Sequence, residues 1–350
     1  MHMTPKLNYR LSNSKHVQLM TVIDVDHEDG FIKEVTTGVL NGKDISFEEA
    51  QTLLNTNDID ALFSCSNIIT RKFNGDQVDV ETLINAKSGA CPEDCSFCAQ
   101  SSRYHTGVMK YHLLPPTEII KQAKEAKQSG ANSFCLVCAY RSPPKEDFEQ
   151  ICKTIVEIKR DLQIDVNVSL GFVTRDMARR LKSIGVKRYN HNLEAAESYF
   201  SQICKTHDFH DRVRTAKIVV DEGLELCCGG IIGMGESPGQ RLELAFSIKS
   251  LHPNEVPINI LITRKGTPLE GLIPLDPIDA IKTIAVWRFI MPKTILKIAG
   301  GREVHLQDKD RIALKAGANG IITGGYLTTG GNRSTRDIAM IEEIGLRKSI

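Results

Sequence analysis

Three thiols stand within eight residues of one another in GACPEDCSFCAQ, at Cys91, Cys95 and Cys98. That number is awkward for disulfides and one short of a closed structural zinc site, which takes four protein ligands. Three thiolates can instead hold three irons of a [4Fe-4S] cube and leave the fourth iron open to a ligand from outside the protein. A zinc loop or a chance cluster is the competing reading. The chain has ten cysteines in all, and in a reducing compartment such thiols are more often free, metal-bound or catalytic than paired. Cys65, Cys152 and Cys204 sit singly in helical patterns and read as core residues, because free cysteine packs as a small hydrophobe.

The elements that must position the loop follow from periodicity. Eight β-rich runs succeed one another: 80–87, 134–140, 165–171, 188–193, 226–233, 256–262, 295–300 and 320–327. Between them lie stretches such as TEIIKQAKEAKQSG, KEDFEQICKTIVEIKRDL, TRDMARRLKSIG and DAIKTIAVWRFIMP, with apolar residues at three- and four-residue spacing and Gly or Pro at their ends. The alternation predicts an α/β fold, a single parallel (β/α)8 TIM-type barrel over 80–350, whose catalytic groups line the strand C-terminal ends. Residues 44–79 read as two helices closing the bottom or flank of the barrel, with Ser46 and Glu49 spaced for a capping box. Residues 1–43 form an N-terminal extension whose structure the pattern leaves open.

The charge is nearly balanced, 44 basic against 43 acidic residues, so nothing marks a nucleic acid or an anionic membrane as partner. No window reaches the length of an apolar membrane span, and the N-terminus lacks the pattern of a signal peptide. A cytoplasmic protein with a small-molecule partner is the expectation.

The cysteine loop, directly after the first strand, resembles the signature of the radical S-adenosylmethionine (SAM) superfamily. There the cofactor's methionyl group chelates the open iron, and reductive cleavage yields a 5'-deoxyadenosyl radical. Phe97 occupies the position beside the adenine. Further along, RYNHNLE, GGIIGMGES, VPINILITRKGTPLEG, RFIMP, GGREV and AGANGIITGGYLTT, in that order, resemble the biotin synthase family over residues 45–346. The resemblance implies sulfur insertion into dethiobiotin, an electron donor such as flavodoxin or ferredoxin, and a homodimer. It places Asn192 and Asn259 on the substrate's ureido ring, Glu194 on the cofactor ribose and Arg212 on the cofactor carboxylate. An asparagine amide, both donor and acceptor, suits a urea, and a guanidinium fork suits a carboxylate.

The same resemblance implies an auxiliary [2Fe-2S] cluster, held by three cysteines and an arginine, whose sulfide enters the product. Cys135, Cys227 and Arg302 match three of these ligands, and Asn167 falls where the remaining cysteine belongs. Asparagine is a poor partner for thiophilic iron. Two additional thiols, Cys138 and Cys228, stand close in sequence. The expectation is therefore a rewired auxiliary site using some of Cys135, Cys138, Cys227 and Cys228, with a larger [4Fe-4S]-type cluster as one form of it. Cys138 reaches the same space as Cys135 only from the end of its strand; Cys227 and Cys228 point to opposite faces of a regular one. Cys138 and Cys228 as packed core residues is the competing reading. Gly320 stands where many members of the family carry serine. Two other functions remain open: a lipoyl synthase component acting on octanoyl groups, which would have no use for Asn192 and Asn259, and a non-catalytic iron-sulfur scaffold.

Overall fold

The computed structural model describes residues 30–324 and 334–349. Strands β1 (Gln77–Lys87), β2 (Ser133–Cys138), β3 (Asp165–Ser169), β4 (Arg188–Asn190), β5 (Glu225–Cys227), β6 (Gly230–Ile232), β7 (Glu255–Ile260), β8 (Ile295–Ile298) and β9 (Gly320–Thr323) pair in parallel, and β1 pairs with β9 to close the ring. The fold is the (β/α)8 barrel that the alternation predicts. A tenth short strand, β10 (Arg347–Lys348), pairs with the start of β1. Residues 325–327 of the last expected strand lie outside the described residues.

The fifth expected strand is split. Its two halves flank Gly229, where an added Cβ would come within 1.9 Å of the Pro257 carbonyl oxygen. Glycine is thus required for β7 to approach so closely, and the ladder breaks there.

Of the helices, α1 (Gly30–Leu40), α2 (Phe47–Asn55) and α3 (Ile59–Asn74) precede the barrel. The box at Ser46 is formed in both directions, the Ser46 hydroxyl accepting from Glu49 N and the Glu49 carboxylate from Ser46 N. The helix α1 lies in the stretch that the sequence pattern left open. Helices α4 (Pro116–Gln128), α5 (Lys145–Leu162), α6 (Arg175–Ser183), α7 (Glu197–Ile203), α8 (Phe209–Asp221), α9 (Pro238–Lys249) and α10 (Pro277–Ile290) follow in the chain. The C-terminal part adds α11 (Arg302–His305), α12 (Asp310–Lys315) and α13 (Ser334–Glu343). Helix α10 is buried all round rather than on one stripe, because α2 and α3 cover the side turned away from the barrel. Ser66 of α3 fixes this contact by donating to the carbonyls of Ala285 and Ala316. No helix among the described residues is long and apolar enough to cross a membrane.

Candidate functional site: a cysteine loop above a charged barrel floor

Alternate residues of the strands face the barrel axis, and those of several strands line a cavity of about 220 Å³. Its walls include Glu81 and Leu83 of β1, Cys135 and Val137 of β2, Asn190 of β4, Cys227 of β5, and Glu255 and Pro257 of β7. Cys91, Cys95 and Cys98 line the same cavity from the loop after β1. That loop is folded on its own backbone: Cys98 N donates to the Cys95 carbonyl at 2.9 Å and Ser102 N to the Cys91 carbonyl at 2.7 Å. It is also tied to the segment after α7, where Asp94 Oδ1 accepts from the amides of Lys205 and Thr206 at 2.9 and 3.0 Å.

Arg212 reaches the loop from α8. Its Nη2 is 3.9 Å from Cys95 Sγ, its Nε donates to His207 at 3.1 Å, and its Nη1 donates to the Asn192 carbonyl at 3.1 Å, 3.8 Å from Glu194. Burial pushes the Glu194 carboxyl above its ordinary range, with Arg212 pulling the other way. A second cavity of about 230 Å³ adjoins the first at Phe97, Cys98, Gln100, Asn192 and Glu194, and is lined as well by Asn259 and Arg264. Asn192 and Asn259 brace the barrel rim. The Oδ1 of Asn192 accepts from Gly229 N at 3.0 Å, and Asn259 spans from Gly300 N to the Gly230 carbonyl at 2.9 and 3.1 Å. Each amide keeps one further donor hydrogen and one further lone pair.

Below the loop, the sequence-derived ligand set separates. Cys135, Cys138 and Cys227 line the first cavity. Cys138 does so because it is the last residue of β2, beside a register shift at Asn85 and Lys87 of β1. Cys228 is fully buried in the apolar core and lines neither cavity, as the alternation of faces requires. Arg302 also lines neither. Both terminal nitrogens of its guanidinium are committed to Asp310, Asp337 and Glu303 and to the Ile322 carbonyl, which argues against the ligand role that the GGREV match implied. The motif puts Arg302 past the strand, on α11, where it clamps the C-terminal helices.

The basic residue that does enter the barrel is Lys297, inward on β8. Its Nζ lies 2.8 Å from each of Asp79, Glu81 and Glu255. Burial would lower its pKa, but the three carboxylates outweigh that and hold it well above the ordinary lysine value. Arg188 joins from β4, with Nη1 2.8 Å from Glu255 and Nε 2.8 Å from Glu225. Asn167 does not stand in for a cysteine here. It donates to Glu81 at 2.7 Å and holds that carboxylate in the network. Gly320 has a matching reason, since a Cβ would lie 3.2 Å from Lys297 Cε.

The sequence reading missed this floor, and it missed the contacts of Cys204. That thiol is buried with the core, as expected, but it also ends α7 with its Sγ 3.9 Å from Cys95 Sγ and 3.3 Å from His207 Nδ1. A strand phase of two through ILKIAG, VETL and NEVPIN would have put Lys297, Glu81 and Glu255 on inward positions.

The donor set fits iron-sulfur clusters. Burial pushes the Cys98 thiol up to about 11 and the Cys138 thiol up to about 12, so these sulfurs need a metal in place of their protons to serve as thiolates. The Asn190 amide donates to Cys135 Sγ at 3.4 Å while its Oδ1 is buried without a partner. Such a polar, thiol-lined space suits a bound inorganic group better than a packed core.

Comparison with known proteins agrees with this geometry. Residues 86–248 match the radical SAM superfamily, and residues 257–347 match the biotin and thiamin synthesis associated domain. The chain is 50% identical to the biotin synthase of Nitrosopumilus maritimus over 91% of its length and 98% of the relative's. It is 41% identical to that of Clostridium tetani over 91% and 99%. Among solved structures, methylornithine synthase superimposes with a TM-score of 0.78 at 19% identity, covering 90% of this chain and 97% of that one, which speaks for the fold alone. With relatives this similar spanning nearly its whole length, the chain belongs to the biotin synthase family of radical SAM enzymes.

Proposed function

We propose that the chain converts dethiobiotin to biotin in the two adjoining cavities, with its cofactor held at their junction and its sulfur drawn from the floor side. The observation that carries the reading is the meeting of Cys98, Asn192 and Glu194 on both cavities, with Arg212 beside them. The radical SAM family implies a [4Fe-4S] cluster and S-adenosylmethionine, which together supply, when bound, the radical that abstracts hydrogen from an unactivated carbon. Cys91, Cys95 and Cys98 hold that cluster. Phe97 offers a face to the adenine, Glu194 binds the ribose and Arg212 the carboxylate.

Asn192 and Asn259 receive the ureido ring with the donor and acceptor that their backbone contacts leave over. Both are positioned before substrate arrives, so little rotamer entropy is lost on binding. The barrel walls exclude water, which keeps a reactive radical from being quenched.

Cys135, Cys138 and Cys227 hold the auxiliary cluster, either [2Fe-2S] or a larger [4Fe-4S]-type one, and Arg302 has no part in it. When bound, that cluster would supply the sulfur that enters the ring, and these residues would hold it beside the substrate cavity. The working enzyme is a cytoplasmic homodimer reduced by a flavodoxin or ferredoxin, and its catalytic unit is the barrel from residue 80, with the helices of 44–79 as a flank.

An anaerobic single-turnover assay of the reconstituted protein with S-adenosylmethionine, a strong reductant and dethiobiotin tests this. Biotin and 5'-deoxyadenosine, followed by mass spectrometry, are the expected products. Deoxyadenosine without biotin would reject the substrate or the donor site.

A further inference from the structure

Two carboxylates of the barrel floor line the cavity, and they are held in different ways. Glu81 has both carboxylate oxygens occupied by neighbours in the network, Oε1 by Asn167 and Oε2 by Lys297. Glu255, which is fully buried, is bound differently. Its Oε2 takes both Lys297 and Arg188, which turns Oε1 toward the cavity, where it accepts from Cys227 Sγ at 3.2 Å. A thiol and a carboxylate oxygen joined through a single proton form a pair that a metal ion can bridge once that proton leaves. Taking roughly 2.3 Å for a metal-sulfur bond and roughly 2.0 Å for a metal-oxygen bond, two such donors on one tetrahedral metal stand roughly 3.5 Å apart. The observed separation is close to that bite.

The deficit in the thiol set adds weight. Below the cysteine loop only Cys135, Cys138 and Cys227 among the thiols line the cavity, and Asn167 is engaged elsewhere, so an iron held by Cys227 lacks a protein partner that the match to the family would have supplied. We propose that Glu255 is that partner: its Oε1 and Cys227 Sγ together ligate one iron of the auxiliary cluster, with Lys297 and Arg188 fixing the carboxylate through its other oxygen. The assignment rests on the reading that a second cluster binds below the cysteine loop. A hard oxygen donor suits thiophilic iron less well than a thiolate, so this iron is the weakly held corner of the cluster. That is the corner from which a cluster consumed as a sulfur source would open.

The test is anaerobic reconstitution of the full chain and of its Glu255→Gln and Glu255→Cys variants, with iron and sulfide counts and Mössbauer spectra of each. The wild type should show, beside the loop cluster, an auxiliary cluster with one iron distinct from its all-sulfur neighbours. Glu255→Gln should lose auxiliary iron while keeping the loop cluster, whose retention also reports that the barrel has folded. Glu255→Cys should keep the auxiliary iron but lose the distinct site, because its ligation becomes all-thiolate. A Glu255→Cys spectrum identical to wild type would overturn the assignment even if the Gln variant failed to fold. A wild type that loads the loop cluster alone would instead overturn the second-cluster reading beneath it.

Discussion

The two ends of the barrel cavity are built on opposite plans. At the mouth, one short loop supplies Cys91, Cys95 and Cys98, and backbone hydrogen bonds within the loop fix its turn. At the floor, Asp79, Glu81, Arg188, Glu255 and Lys297 come from four separate strands, and what holds them is mutual charge. The mouth gathers three thiols in a single loop, whereas the floor sets Asn167 among paired ions. A site confined to one loop is a module that survives change around it. A site spread over the barrel can change only in concert, because each buried charge needs a partner already in place.

Removing a group from each end should separate chemistry from stability. Cys98→Ala should abolish the loop cluster and bring 5'-deoxyadenosine formation to background, with little change in the denaturation midpoint of the cluster-free protein. Lys297→Met should do the reverse in the cluster-free protein. It leaves two buried carboxylates, Glu81 and Glu255, and the half-buried Asp79 without their common counter-ion, a loss of about 3–5 kcal/mol that urea denaturation would read. Equal loss of stability in both variants would break the contrast between a modular mouth and a cooperative floor.

How much of this could be read in the sequence follows the same division. The loop and the strand-helix alternation are local patterns, and both were legible. The floor was not, because its members lie far apart and each looks ordinary in its own strand. The GGREV string drew attention to Arg302, while the phase of β8 was the better guide: Ile295, Lys297 and Ala299 share one face, and that face is inward. The expectation for Cys204, which is indeed buried, was incomplete for a related reason. Helical spacing suggested a packed thiol, but the helix ends at Ile203, and the turn delivers the sulfur to Cys95. Helix α1 has two Thr and two Gly among its eleven residues, so its helicity rests on packing against α3 more than on propensity. The break at Gly229 depends on the Pro257 carbonyl across the sheet, which no local window contains.

Arg302 offers a check on which cation belongs to which end. It is as buried as Lys297 but pairs with Asp310 and Asp337 away from both cavities. Arg302→Met should therefore cost about 3 kcal/mol by denaturation while leaving iron and sulfide counts of the folded, reconstituted protein unchanged. Loss of auxiliary iron from folded Arg302→Met would return that residue to the cluster.

The smallest expected effect is also the finest division within the floor. Cys138 and Cys228 each neighbour a thiol of the proposed cluster in sequence, and each is buried. Cys138 ends β2 and lines the cavity, whereas Cys228 follows β5 and faces the apolar layer under the helices. Cys228→Ala should cost about 1 kcal/mol through the lost packing of one sulfur, with the iron count and visible spectrum as in wild type. Cys138→Ala should cost no more in stability but should lose auxiliary iron. The pair is informative because the substitution is chemically identical and only the direction of the side chain differs. Unchanged spectra in both would mean that Cys135 and Cys227 suffice without a third thiol, and loss in both would mean that β5 turns further at its end than its strand geometry allows.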